Sequence, residues 1–183
     1  MNALRRWTAV VVVATGAVWI GAGCSTRTST STTSTPNAEE QQVAANLANF
    51  DDLDFNVFTN QKWDELHKSH SDSITVHWPD GHTTQGIARH IEDLKAMFVW
   101  APDTRIKEHP IKFGRGDWTA VVGVMEGTFS KPMPMANGKS VPPTNKAYKL
   151  EMATIGHWKN GTMDEEYLFW DNLTFMRQIG LAP

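Results

Sequence analysis

Cysteine is almost missing from this chain: 183 residues contain one, Cys24, and it stands near the N-terminus. A folded domain downstream of it therefore has no disulfide, no thiolate zinc site and no catalytic thiol. Basic charge is also scarce, with 17 Lys and Arg against 20 Asp and Glu. A nucleic-acid partner, which needs a concentrated basic face, is not expected. Glycine-rich phosphate loops and a Gly-x-Ser-x-Gly elbow are both missing, which argues against nucleotide chemistry and against Ser-His-Asp hydrolysis. No internal repeat is visible, so the chain has room for one domain and its tails.

What the N-terminus does have is an address. Arg5 and Arg6 precede an apolar run from Trp7 to Ile20, and Gly21-Ala22-Gly23 leads into Cys24. Positive residues, an apolar run and then small residues make a secretory signal pattern, and a cysteine directly after Ala-Gly resembles a bacterial lipobox. The expectation is a signal peptide over 1–23, lipidation of Cys24, and a Ser/Thr-rich tether over 24–36 with nothing apolar to bury. An uncleaved N-terminal membrane anchor is the alternative, and either reading puts the domain outside the cytoplasm, on the cell envelope. Losing Arg5 and Arg6 leaves 15 basic residues against 20 acidic, about −5.

Residues 37–183 carry the domain. Asn37 is a plausible N-cap with Glu39 and Glu40 behind it, and Val43, Leu47, Phe50 and Val57 recur at helical spacing, with Asp51 and Asp52 to the side. A shorter helix over 61–70 carries Trp63, Leu66, His67 and His70, a strand covers 73–78, and Ile87, Ile91, Leu94 and Phe98 mark a third helix. Strands follow over 104–113 and 118–129, the latter with Val121 and Met125 on one face. Residues 131–145, rich in proline, read as a surface loop. The end of the chain reads as two long strands, 146–158 and 162–172, joined at Asn160-Gly161, the strongest short-range hairpin signal. Helices first and antiparallel strands last describe an α+β domain, with a curved sheet wrapped on three N-terminal helices.

That order, together with Gly116-Asp117-Trp118 opening a long strand that closes on Glu126-Gly127-Thr128-Phe129, Asn137-Gly138-Lys139 in the loop, and Asp171 with Gln178-Ile179-Gly180 at the end, resembles the SnoaL-like polyketide cyclase (ester cyclase) branch of the nuclear-transport-factor-2-like superfamily. The resemblance covers residues 46–180. It implies a cone-shaped, cystatin-like α+β fold with a curved antiparallel or mixed sheet, an apolar pocket, no cofactor, and homodimers formed through the sheet. It also implies an acid/base aspartate on the last strand and a helping histidine on the strand before it. Those positions fall on Leu168 and Thr154 here, and leucine cannot move a proton, which argues against the family's aldol-type cyclisation.

Other acids must be weighed. Asp171 shares a strand face with Tyr167 and Phe169, while Glu166 shares the other with Leu168 and Trp170. A two-residue turn places Asp171 over Leu150 and Met152, where burial would raise its pKa; a bulged three-residue turn sets it opposite Lys149 as an ordinary ion pair. Asp171 and Glu166 are thus the candidate catalytic acids, each with a bland reading beside it: an ion pair or structural hydrogen bond for Asp171, a solvated edge for Glu166. His77, Trp78, Tyr148, Leu150, Met152, Thr154, Leu168 and Trp170 are the expected pocket wall. The run from His77 to His82 lacks the spacing of a known metal motif, so no metal is expected. The functional expectation is a domain that binds a small, largely apolar molecule, with cofactor-free acid/base chemistry of the cyclase or isomerase type. The alternative is a non-catalytic carrier or partner-docking lipoprotein.

Overall fold

The structure is a computed structural model that describes residues 36–135 and 138–183. The expected signal peptide, Cys24, nearly all of the tether and Asn137 lie outside the described residues.

Helix α1, Ala38–Asp52, begins where the sequence places it. Asn37 accepts from the Glu40 amide at 2.9 Å while the Glu40 carboxylate accepts from the Asn37 amide at 2.8 Å, so two orphan donors of the first turn are satisfied reciprocally. The chain then widens into a π-helical segment, Leu53–Phe58, in which Leu53, Asp54, Val57 and Phe58 are all buried. A 3-10 helix, Trp63–Lys68, follows. The helix expected over 61–70 is shorter than that, and His70 is the first residue of strand β1, His70–His77. Strand β2 is Thr83–Gln85 and helix α2 is Ile87–Trp100, close to the apolar periodicity that marked it.

The single strand expected over 104–113 is two strands, β3 Arg105–Ile106 and β4 Ile111–Arg115, both paired antiparallel with β5, Trp118–Thr128. Pro110 has no N–H to give a ladder, and the break beside it lets the chain turn a side chain inward. Two short strands, β6 Met133–Pro134 and β7 Ser140–Val141, pair with each other in the proline-rich loop. The long strand β8, Ala147–Lys159, turns at Asn160 and Gly161, whose φ values of 55° and 85° suit a tight two-residue hairpin, into β9, Thr162–Phe169.

The closing hairpin takes the two-residue register only at its tip, and beyond it a pairing that neither expected register has. At its tip Lys159 pairs with Thr162 and Trp158 with Met163; then Asp164 is left unpaired as a bulge, and His157 meets Glu165. Strict alternation from Met163 would send Glu166 to the outside. One extra residue returns it inward, so that Met163, Glu166 and Leu168 are all buried on one face. Gly156, opposite Glu166, admits the crowding this causes: a Cβ there would stand 2.5 Å from the Met163 sulfur. The strand ends at Phe169 rather than running on to Asn172, and a short helix α3, Asn172–Gln178, takes the remainder.

The large sheet has the order β2-β1-β9-β8-β5-β3, with β4 also on β5; β1 and β9 run parallel and the other pairs antiparallel. It is therefore a mixed, curved sheet that does not close into a barrel. The expected α+β class and the helices packed inside the sheet are both observed. The core divides into two clusters. Phe58, Phe98, Trp100, Ile106, Met125 and Phe129 belong to one, and Phe50, Leu53, Leu66, Ile74, Val121 and Trp158 to the other. Leu94, Met152 and Trp170 pack against both.

Candidate functional site

Between the two clusters the interior is not filled. A cavity of about 110 Å³ remains, walled mainly by apolar side chains including Leu53, Phe58, Ile106, Met125 and Leu168. Its partly exposed members, among them Trp78, Met97, Met152 and Trp170, mark the side that reaches solvent. For scale, a cavity of about 150 Å³ admits benzene. One ring is therefore the upper bound on what enters, and it needs the partly exposed walls to give slightly.

Four buried ionisable side chains, Asp54, His70, His90 and Glu166, interrupt this apolar lining, and a fifth, the half-buried Asp93, is paired with Arg89. Asp54 comes from the π-helical segment. His109 Nε2 meets its Oδ2 at 2.8 Å, His109 Nδ1 meets Asp51 Oδ1 at 2.8 Å, and Asp51 pairs with Lys112. The break between β3 and β4 supplies His109, whose ring lies against Phe55 at 4.4 Å between centroids. Burial raises the pKa of Asp54, even against the hydrogen bond from His109. Burial opposes the charged form of His109, but Asp54 and Asp51 outweigh it and raise its pKa. Asp51, desolvated only in part, is held below the usual carboxylate range by Lys112 and His109. A relay of alternating charge thus runs from Lys112 at the surface to a proton-affine carboxyl in an apolar cavity.

The second group lies on another wall. Glu166 Oε2 is 3.5 Å from His90 Nε2 and 3.8 Å from His70 Nε2, both too long for good hydrogen bonds. Burial pushes His90 down to about 4, so it is neutral at pH 7. Burial works to raise the Glu166 carboxyl, but the imidazoles beside it, His70 first, hold it below the ordinary glutamate value. His70 Nε2, His90 Nδ1 and Glu166 Oε2 have no hydrogen-bond partner among the described residues. Each such buried atom costs roughly 1–3 kcal/mol if nothing fills the gap. Among the described residues these three also form a group that could hold a metal ion, their donor atoms lying within 4.8 Å of one another.

The sequence profile of the SnoaL-like polyketide cyclases matches residues 51–179, well over half of the chain. The chain belongs to that family. Comparison with curated protein sequences finds no significant match. Among solved structures, a protein assigned as a SnoaL-like polyketide cyclase from Jannaschia sp. CCS1 superposes with a TM-score of 0.68 at 17% identity, over 81% of this chain and 100% of that one. IdmH from Streptomyces antibioticus, assigned as a polyketide cyclase, gives 0.62 at 18% over 74% and 98%. A third, assigned as a polyketide cyclase from Xanthomonas campestris pv. campestris, gives 0.66 at 11% over 76% and 99%. At these identities the likeness is one of fold: a SnoaL-like, nuclear-transport-factor-2-like domain of the kind that binds small molecules.

Of the side chains that sequence reasoning singled out, Glu166, Trp78, Met152, Thr154, Leu168 and Trp170 line the cavity together. Thr154 and Leu168, the positions onto which the family's histidine and aspartate fall, face each other across β8 and β9. Asp171 is elsewhere. It is the exposed N-cap of α3, accepting from the amides of Leu173 and Thr174 at 2.9 and 3.0 Å and from the Thr174 hydroxyl at 2.6 Å, which holds its pKa low. Both registers weighed for it assumed a strand that has already ended at Phe169. His77 turns away from the cavity to pair with Glu165 at 2.9 Å and stack on Tyr167. Tyr148 is buried in the core, its hydroxyl 2.5 Å from that of Thr104 and its pKa pushed by burial up to about 12. Leu150 is packed in the same core cluster rather than in this cavity.

Asp54, His70, His90 and His109 were missed, although two of them carry a legible signal. Asp54 falls four residues after Phe50 and three before Val57, on the apolar stripe itself. His90 falls between Ile87, Ile91 and Leu94 on the stripe of α2. A polar residue on an apolar helix face is buried with a partner or with a purpose.

The raised pKa of His109 stabilises the fold fully below the unfolded histidine value of ~6.5, and that contribution is lost as pH rises through the folded value. Asp51, being depressed, contributes above the ordinary carboxylate value and loses it as pH falls toward the folded one. Thermal melts of wild type and His109→Gln between pH 5.5 and 9 should therefore show the wild type's advantage largest near pH 6 and shrinking on the alkaline side. A difference independent of pH contradicts the charged relay.

Proposed function

We propose that this domain takes a small, largely apolar molecule, about one ring in size, into the cavity and moves a proton on it, with Asp54 as the acid/base group. The observation that carries this reading is the Asp54 carboxyl itself: buried in an apolar wall, raised in pKa, and backed by His109 and Asp51. A carboxylate stripped of water takes a proton from carbon or oxygen more readily than one in solution, and the His109 ring stabilises the charge when the proton leaves again. The chemistry is of the isomerase or cyclase type. It uses a different carboxyl from the strand aspartate that the family resemblance implied, since that position is Leu168.

Small molecules retained by the purified protein and identified by mass spectrometry provide the substrate for the test. Deuterium uptake into that molecule from heavy water should fall about 10²–10⁴-fold in Asp54→Asn while its affinity stays within a few fold. Undiminished exchange removes Asp54 from the mechanism and leaves a ligand carrier.

The address is the second part of the proposal. The charged, apolar and small-residue pattern ending at Cys24, followed by the Ser/Thr-rich run, supports a lipid-anchored protein outside the cytoplasm. Intact-mass measurement of the membrane fraction should give a chain that starts at Cys24 and carries acyl mass; a full-length, unacylated chain contradicts it.

The outer sheet face supports a homodimer. Phe113, Ala120, Ile155 and Tyr167 stand side by side across β4, β5, β8 and β9, with Phe113 63% exposed and Ile155 36%. An apolar stripe of this kind is a natural place for a second copy. Sedimentation equilibrium should show a dimer that Phe113→Glu converts to monomer, and a monomeric wild type would remove the idea.

A further inference from the structure

His70, His90 and Glu166 come from three separate elements, the first residue of β1, the first turn of α2 and the inner face of β9. All three are buried, at 2%, 2% and 4% exposure. Glu166 Oε2 stands 3.5 Å from one imidazole nitrogen and 3.8 Å from the other. Two donors on a tetrahedral ion with bonds of ~2.0–2.1 Å are ~3.3 Å apart. The triangle is therefore a few tenths of an ångström wide on two sides, and the imidazole-to-imidazole side, within 4.8 Å, must draw in on binding.

The orientation of His70 is fixed from behind. Ser69 Oγ lies 3.1 Å from the Leu66 carbonyl and 2.9 Å from His70 Nδ1, so a hydroxyl that donates to the carbonyl accepts from the ring nitrogen. In that arrangement Nε2 offers its lone pair to the interior, 3.8 Å from Glu166 Oε2 and without a hydrogen-bond partner among the described residues. A lone pair facing a carboxylate oxygen is repulsive unless a positive centre lies between them. A ligating histidine whose far nitrogen donates to a neighbouring oxygen is the usual support for a metal.

We propose that His70, His90 and Glu166 hold one divalent transition-metal ion, zinc being the best match, with its remaining position open to the cavity. Two imidazoles and one carboxylate are a donor set for zinc or another borderline ion; calcium and magnesium demand more oxygen. All three ligands line the cavity that holds Asp54. The molecule taken up is accordingly one with an apolar body and an oxygen donor, a carbonyl or hydroxyl, that completes the coordination. Ion binding does not require that Asp54 move protons, so the two ideas fail separately.

The test uses the full-length, untagged chain, stripped with chelator and titrated with Co²⁺ and Zn²⁺. One equivalent of Co²⁺ should bind with visible absorption bands and be displaced by one equivalent of Zn²⁺. Glu166→Gln and His90→Ala should abolish this uptake, Ser69→Ala should weaken Zn²⁺ about tenfold, and the exposed His67→Ala should leave it unchanged. A folded wild type that gives no bands overturns the proposal, and so do bands that persist unaltered in both ligand variants. Circular dichroism establishes first which variants fold; where the ligand variants do not, the wild-type spectrum and Ser69→Ala decide.

Discussion

The pairing of β8 with β9 is the constraint on which the site rests. A two-residue turn would by itself have locked one register along the whole hairpin, and Glu166 would have faced solvent beside Asp164 while Glu165 turned inward. The unpaired Asp164 shifts the ladder by one residue just inside the tip. From that point Thr154 and Gly156 on one strand and Glu166 and Leu168 on the other form the inner wall. Met163, on the near side of the bulge, remains inside as well and fills the space that Gly156 leaves open. One inserted residue thus decides whether the carboxylate is a surface charge or a buried functional group.

Burying that carboxylate, a second one and three histidines is costly, and the fold offsets the cost unevenly. Asp54 has His109, His109 has Asp51, and Asp51 has Lys112, so each desolvated charge meets an opposite one. The group around Glu166 is left incomplete, with three polar atoms unpaired among the described residues. A native core seldom tolerates this without a reason. The two groups share one cavity, and the contrast between them, one satisfied and one unsatisfied, separates a proton relay from a place that awaits a ligand.

The position where relatives are expected to carry an acid/base aspartate holds Leu168, and its cross-strand neighbour is Thr154. Both line the cavity. The buried carboxyl proposed as the acid/base group, Asp54, comes from the helical side of the cavity instead of the sheet. That exchange is geometrically reasonable because the cavity lies between the two core clusters, and either wall can reach its contents.

Local chemistry in the sequence was enough for much of the framework. The Asn37–Glu40 capping box, the apolar spacing of α2, the Asn160-Gly161 turn and the polarity alternation that set Glu166 and Leu168 on one face all depend on residues a few positions apart. Tertiary structure alone decided the rest. The π-helical segment that buries Asp54, the break beside Pro110 that turns His109 inward, the bulge at Asp164 and the conversion of Asp171 from strand residue to helix cap each depend on what lies across the core. A polar side chain is buried only where a partner far along the chain meets it, and that meeting is settled by packing and register, which no local pattern encodes.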